Sequence, residues 1–256
     1  MRKDTEHSRV EELPEGMIEG RNAVTEAIRS GRTINKVFLA DGDTDRALGR
    51  LAAMAKDAGA VVVRIDRRKL NEMSPTGAHQ GIIASVAAHE YATIDELLAA
   101  AESRGEAPLL VVCDELSDPH NLGAILRTAE CAGAHGVIIP KRRSVGLTAV
   151  VGKASAGAIE YMPVARVSNI AATLRELKQR GVWIFGTAAE GATALYEADL
   201  TLPAAVVIGN EGVGMSRIVA EQCDFKVSIP MKGRISSLNA SAAAAILLYE
   251  AVRQRG

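Results

Sequence analysis

Three stretches of this chain combine small residues with amides, hydroxyls and isolated charges, in patterns that could hold and orient a ligand. The first is Asp118-Pro-His-Asn-Leu-Gly-Ala-Ile-Leu-Arg-Thr-Ala129. Asp118 and Pro119 make a good helix start, but Asn121, Gly123 and Arg127 are not needed for one. The second, Gly209-Asn-Glu-Gly-Val-Gly214, sets three glycines within six residues, which permits positive φ and close approach of backbone to a ligand. The third, Ile229-Pro-Met-Lys-Gly-Arg-Ile-Ser-Ser-Leu-Asn-Ala-Ser241, leads into a run of alanines. Gly186-Thr-Ala188 adds a fourth small-residue turn. Each stretch also has an ordinary structural use, since Ser and Asn cap helices and glycines turn chains. Neither G-x-G-x-x-G nor the Gly-Lys-Ser/Thr of a P-loop is present, so dinucleotide and nucleoside-triphosphate binding have no support.

What makes these stretches matter is where they fall. Short apolar runs at Leu109–Cys113, Gly136–Ile139, Val182–Phe185, Ala205–Ile208 and Phe225–Ile229 read as buried strands. Helical patterns at Asn121–Ala132, Ile170–Arg180 and Met215–Gln222 separate most of them. Continuous apolar strands alternating with helices predict a mostly parallel sheet covered on both faces. Ligands of such sheets bind beyond the carboxyl ends of the strands. All four stretches follow a strand directly, so they are expected at one edge of one sheet.

The remaining chain reads as three further parts. Residues 1–16 are charged and aperiodic, a mobile tail. Residues 17–88 alternate helices (Asn22–Ile28, Asp45–Ala58, Arg67–Met73) with short strands (Lys36–Ala40, Ala60–Ile65, Gly81–Ala87), a compact α/β/α layer. Its Thr76–Gly81 loop carries His79 and Gln80, which suit a turn or an RNA backbone. Residues 89–106, weakly helical and Ala/Glu-rich, read as a linker to a domain over 107–256.

Composition narrows the partners. Basic and acidic residues nearly cancel, 30 against 31, so no global field announces nucleic acid. Local basic clusters do exist at Arg64, Arg67 and Arg68 and at Lys141, Arg142 and Arg143; as isolated features they are also ordinary solvated faces. Aromatic residues make up only 3%, too few for an interface of stacked bases. Cys113, Cys131 and Cys223 lack metal or redox spacing, and Cys113 and Cys223 read as reduced core residues. No signal-peptide pattern or membrane-length apolar run is visible, so a soluble cytoplasmic protein without a metal is expected.

The strings DPHNLGAILRTA, IGNEGVG and IPMKGRISSLNAS resemble the three motifs of the SpoU/TrmH branch of the SPOUT RNA methyltransferases. EGRNAVTEAI and GAHQGIIA are similar to the substrate-binding domain of the same proteins, itself related to RNA-binding ribosomal proteins. The resemblance implies a trefoil knot in the C-terminal domain, which general topology rules would not suggest. It implies S-adenosylmethionine as cofactor, held by backbone around Gly209, Ile229 and Leu238 with Gly186 and Thr187 nearby. It implies an active site of Asn121, Arg127, Glu211, Ser237 and Asn239, and a homodimer.

The implied reaction is methylation of a ribose 2′-hydroxyl, of a guanosine in 23S ribosomal RNA. A tRNA or another ribosomal site is the alternative within the same chemistry. A non-catalytic RNA-binding assembly factor is the alternative outside it. Arg127 is too weak an acid to serve easily as a base; the expected role is to fix the neighbouring phosphate and stabilise charge on the 2′-oxygen. Glu211 is expected to anchor the cofactor-side loop or to pair with Arg127. RNA duplex is read by shape, phosphate and 2′-OH contacts, which suits the basic clusters.

Overall fold

The computed structural model describes residues 16–42, 45–74, 76–87, 89–188 and 192–256. The tail expected over residues 1–16 lies, up to residue 15, outside the described residues. The chain divides into two compact units, Met1–His89 with Thr148–Lys153, and Glu90–Leu147 with Ala154–Gly256.

The first unit runs β1 (Met17–Glu19), α1 (Arg21–Arg29), β2 (Ile34–Ala40), α2 (Arg46–Asp57), β3 (Val61–Ile65), α3 (Arg67–Met73) and β4 (Ile82–Val86). The sheet order is β1-β4-β2-β3; only β2 and β3 pair in parallel. Val24, Ala27, Val37, Leu39, Ala55 and Ile82 form its core. The His79–Gln80 loop is stitched to its own unit. Nearly inaccessible, His79 accepts from the Gly81 amide through Nδ1 at 3.0 Å and meets Asn71 Oδ1 through Nε2 at 2.7 Å. Gln80 Oε1 accepts from the Arg21 amide at 2.9 Å. Both ring nitrogens of His79 and the side-chain oxygen of Gln80 thus serve the turn. Lys153 is likewise spent: it pairs with the buried Glu19 at 3.0 Å.

The second unit runs α4 (Ile94–Arg104), β5 (Leu109–Cys113), α5 (Pro119–Cys131), β6 (Gly136–Pro140), α6 (Ala149–Ala154, of which only the last residue belongs here), β7 (Val164–Val167), α7 (Ile170–Gln179), β8 (Trp183–Thr187), β9 (Thr193–Ala194), β10 (Ala204–Ile208), α8 (Arg217–Ala220), β11 (Phe225–Ser228) and α9 (Ala240–Arg255). Seven strands form one sheet, ordered β7-β6-β5-β10-β8-β11-β9, with every pairing parallel. β5 and β10, adjacent in space, stand far apart in sequence; from β5 the chain builds outward through β6 to β7, then returns to fill the other side. That reversal is the switch point where open α/β sheets bind ligands.

One reading needs correction. Residues 89–106 are not a free linker: α4 carries a Thr93–Glu96 capping box, and Leu97 and Ala101 are wholly buried. Leu97 belongs to the same apolar cluster as Leu110 and Ile138. Ile94, Leu97, Leu98 and Ala101 recur at helical spacing, a short apolar stripe that the surrounding Ala and Glu obscure. The small residues of α9 let it pack closely within the chain. Ala244, Leu248 and Ala251 are buried, and α9 packs against α5.

A pH dependence follows from two buried imidazoles. His135, inaccessible to solvent, accepts from the Leu109 amide at 3.0 Å through Nδ1 and meets Glu106 through Nε2 at 3.0 Å. Burial pushes the His135 and His79 pKa values below the ordinary imidazole value. Their neutral forms are therefore preferred in the folded chain, and the unfolded chain takes up protons first on acidification. Stability from this source is present above about pH 6.5, the ordinary imidazole value, and is lost as pH falls below it. The melting temperature is expected to drop between pH 7.5 and 5.5, and His135→Gln should flatten part of that drop; an unchanged profile in the variant contradicts this assignment.

Candidate active site

The carboxyl ends of β5, β10, β8 and β11 are consecutive across the sheet, which brings together the four stretches singled out by residue type. Asn121 sits in the first turn of α5 after β5 and is almost fully buried. Its Nδ2 donates to Glu211 Oε1 at 2.8 Å, from the loop after β10. Asn239, the N-cap of α9, donates from Nδ2 to Asn121 Oδ1 at 2.9 Å and also to Glu211 Oε1. The Ala240 amide donates to the same carboxylate oxygen at 3.2 Å. Meanwhile Asn239 Oδ1 accepts from the Ser241 and Ala242 amides at 3.0 and 3.3 Å. Both ends of the Asn239 amide are thus used, one to cap α9 and one to tie that cap to the two other loops. A cap of this kind alone stabilises a helix by about 1 kcal/mol. Glu211 adds a negative charge at the positive end of α9, which favours it further.

The loop after β10 is closed tightly on itself. Asn210 and Gly214 exchange main-chain hydrogen bonds at 3.0 and 2.8 Å. Asn210 also spans outward: Nδ2 donates to the Glu115 carbonyl at 3.1 Å and Oδ1 accepts from Gly212 at 2.9 Å. A Cβ on Gly209 would overlap the Gly214 carbonyl carbon and the Met215 amide nitrogen, so no side chain fits there. Gly186 is similarly enclosed, by Cys223 Sγ and Met215. The Thr187 hydroxyl donates to the Val207 carbonyl at 3.0 Å, fixing the end of β8 against β10.

Not every expected residue joins this network. Ser237 is exposed and its side chain, like that of Arg127, makes no hydrogen bond or ion pair among the described residues. Arg127 lies six residues beyond Asn121 on α5, about 9 Å along the axis and on another face. Glu211 is bound to Asn121 and Asn239 and not to Arg127, so of the two expected roles the loop anchor is the one whose hydrogen bonds are made. Ile229 and Leu238 are half-buried at the two ends of the loop after β11. Arg64, Arg67 and Arg68 are exposed in the first unit, and Lys141, Arg142 and Arg143 are exposed just past the carboxyl end of β6.

Two positions were not anticipated. Asp114 is buried, and its Oδ2 accepts from the Ser216 amide at 2.7 Å, joining the end of β5 to the start of α8. Its signal was available, a carboxylate directly after an all-apolar strand. Asn210, set among glycines, carries its side chain into two loops at once. The thiols fit an inert role: burial pushes Cys113 up to about 12 and Cys223 up to about 11. No His, Cys, Asp or Glu group able to hold a metal occurs among the described residues.

Residues 108–249 match the SpoU rRNA Methylase family model, and residues 17–92 match the RNA 2′-O ribose methyltransferase substrate-binding model. Bacillus subtilis YacO, assigned to the TrmH family of tRNA/rRNA methyltransferases, is 50% identical over 236 residues, which is 92% of this chain and 94% of the relative. The chain belongs to the SpoU rRNA methylase family. Among solved structures, the SpoU methyltransferase AviRb of Streptomyces viridochromogenes, in complex with AdoMet, aligns with a TM-score of 0.81 at 27% identity, covering 93% of this chain and 89% of that one. The AdoMet-bound rRNA methyltransferase of Sinorhizobium meliloti aligns at 0.76 and 26% identity, over 93% and 86%. In this SpoU-family chain the methylase match contains the whole Asn121–Glu211–Asn239 network. No helix of the described residues is long and apolar enough to cross a membrane.

Proposed function

We propose that this SpoU-family chain transfers a methyl group from S-adenosylmethionine to a ribose 2′-hydroxyl, of a guanosine in 23S ribosomal RNA. The observation that carries the reading is the convergence of three separate loops on the Glu211 carboxylate at the reversal of strand order. The residues present suit the cofactor. The main-chain amides of Gly209, Ile229 and Leu238 donate no hydrogen bond within the described residues. They therefore remain available to a ligand with several acceptors, as buried or half-buried amides require. Bound there, S-adenosylmethionine supplies an electrophilic methyl group on a sulfonium.

The chain's own residues would do the rest. Gly209, Ile229 and Leu238 bind through backbone, and Gly186 and Thr187 line the neighbouring strand end. Asn121, Glu211 and Asn239 hold the three loops in register, since positioning of an in-line displacement supplies much of its acceleration. Ser237, exposed at the rim, orients the ribose. Arg127, exposed and without an internal partner, holds the phosphate beside the 2′-oxygen and stabilises charge developing there. Lys141, Arg142 and Arg143, with Arg64, Arg67 and Arg68 of the first unit, contact RNA phosphates and make binding salt-dependent.

Two further parts of the reading rest on α9. Its entry loop and its packing on α5 support the knotted crossing that the family resemblance implies. A stripe of Ala242, Ala245, Ile246 and the half-exposed Tyr249 stays at its surface at helical spacing, which supports a homodimer. Relatives named for both tRNA and rRNA keep a tRNA substrate as the second reading. The test is tritiated-methyl transfer to unmodified large ribosomal RNA and to unmodified tRNA. Incorporation into ribosomal RNA alone is expected; incorporation into tRNA alone overturns the substrate assignment.

A further inference from the structure

Past the carboxyl ends of β6 and β7, the outer strands of the same sheet edge, lies a second group of cations. Lys141, Arg142 and Arg143 leave β6 in succession, and Arg166 rises from the edge strand β7 beside them. The Arg166 guanidinium sits 5.3 Å above the Tyr91 ring. It donates from Nη2 to the Lys141 carbonyl at a long 3.3 Å, and its Nε is buried with no hydrogen-bond partner. A buried guanidinium nitrogen without an acceptor is costly unless something supplies one. Lys141, Arg142 and Arg166 have no carboxylate partner among the described residues. Arg143 has one, Glu115 at 3.0 Å.

The loop is held in shape despite an unfavourable backbone. Arg143 and Glu115 both adopt left-handed conformations, φ 58° and 55°, which non-glycine residues visit only when their surroundings impose it. Those surroundings are the Val145 amide and the Ser144 hydroxyl, both donating to the Leu116 carbonyl, at 3.1 and 3.0 Å. The Leu147 amide also donates to the Tyr91 hydroxyl at 3.0 Å. Glu115 is itself the residue whose carbonyl Asn210 grips, so this corner is bonded directly to the loop after β10. A planar fork fixed on an aromatic ring, with flanking cations lacking counter-charges, matches a phosphodiester oxygen pair.

We infer that Arg166, stacked on Tyr91, forms with Lys141 and Arg142 a phosphate-binding subsite for the RNA backbone. It lies two strand spacings, about 10 Å, from the Asn121 strand end. This rests on the proposed RNA methylation and adds a subsite that sets the register of the RNA along the sheet edge.

The test is the salt dependence of RNA binding, with the cofactor dissociation constant as control. Arg166→Gln should raise the KM for RNA about tenfold, the loss of one charged hydrogen-bonded contact. It should also lower the slope of log K against log salt by about one, with cofactor affinity unchanged. Lys141→Gln/Arg142→Gln, at exposed positions where folding is not at stake, should lower the slope by about two. A slope unchanged in both variants overturns the subsite, even if Arg166→Gln melts at lower temperature, because a purely structural Arg166 would move stability alone. Wild-type chain that binds cofactor and methylates RNA while both variants keep its slope refutes the subsite only. Wild-type chain that does neither refutes the underlying reading.

Discussion

Arg127→Ala is expected to lower the single-turnover rate of methyl transfer by about 10²–10³-fold, the range seen when one preorganised donor to a developing oxyanion is removed. The side chain is solvent-facing on α5 and has no partner among the described residues, so its loss should leave folding intact and cofactor affinity unchanged. That separation makes the variant informative. A structural role would appear as a lowered melting temperature, whereas a phosphate and transition-state role appears in the rate. Arg127→Lys should recover only part of the loss, because an ammonium keeps the charge but not the planar fork. Full activity in Arg127→Ala would remove Arg127 from the chemistry.

Glu211→Ala is expected to act through the opposite route, weakening cofactor binding about 10–100-fold and stability together. The carboxylate accepts from Asn121, Asn239 and the Ala240 amide. Removing it leaves the buried Asn121 amide without its carboxylate partner, a cost of about 1–3 kcal/mol. In a chain of this size that lowers the melting temperature by roughly 2–4 °C per kcal/mol. The cap of α9 survives, since Asn239 Oδ1 still serves Ser241 and Ala242; what is lost is the tie between the cap and the other two loops. Calorimetric titration with S-adenosylmethionine alongside thermal unfolding checks both effects. Wild-type affinity with a lowered melting temperature would make Glu211 a purely structural anchor.

The second unit's sheet was legible because its parallel strands are buried on both faces and so are written as apolar runs. β7 was missed for the complementary reason: at four residues, with Arg166 inside it, it shows no run. β1, three residues long, carries too little pattern to separate from its neighbours. α4 was misread because alanine and glutamate surround a stripe of only four apolar positions. In the site, the residue types were legible and their pairing was not. Asn121 and Asn239 stand 118 positions apart and meet only because β10 inserts between β5 and β8, an order that periodicity does not encode. His79, which in sequence suits either a turn or an RNA backbone, has both ring nitrogens taken by its own turn and by Asn71.

Ribose methylation itself is read most directly by digesting unmodified large ribosomal RNA, after incubation with the full chain and S-adenosylmethionine, and identifying the methylated nucleoside by mass spectrometry. A single 2′-O-methylguanosine, formed far more slowly when Arg127→Ala replaces the wild type, is the predicted result. A methyl group on a base, or no methylated nucleoside from either ribosomal RNA or tRNA, would contradict it.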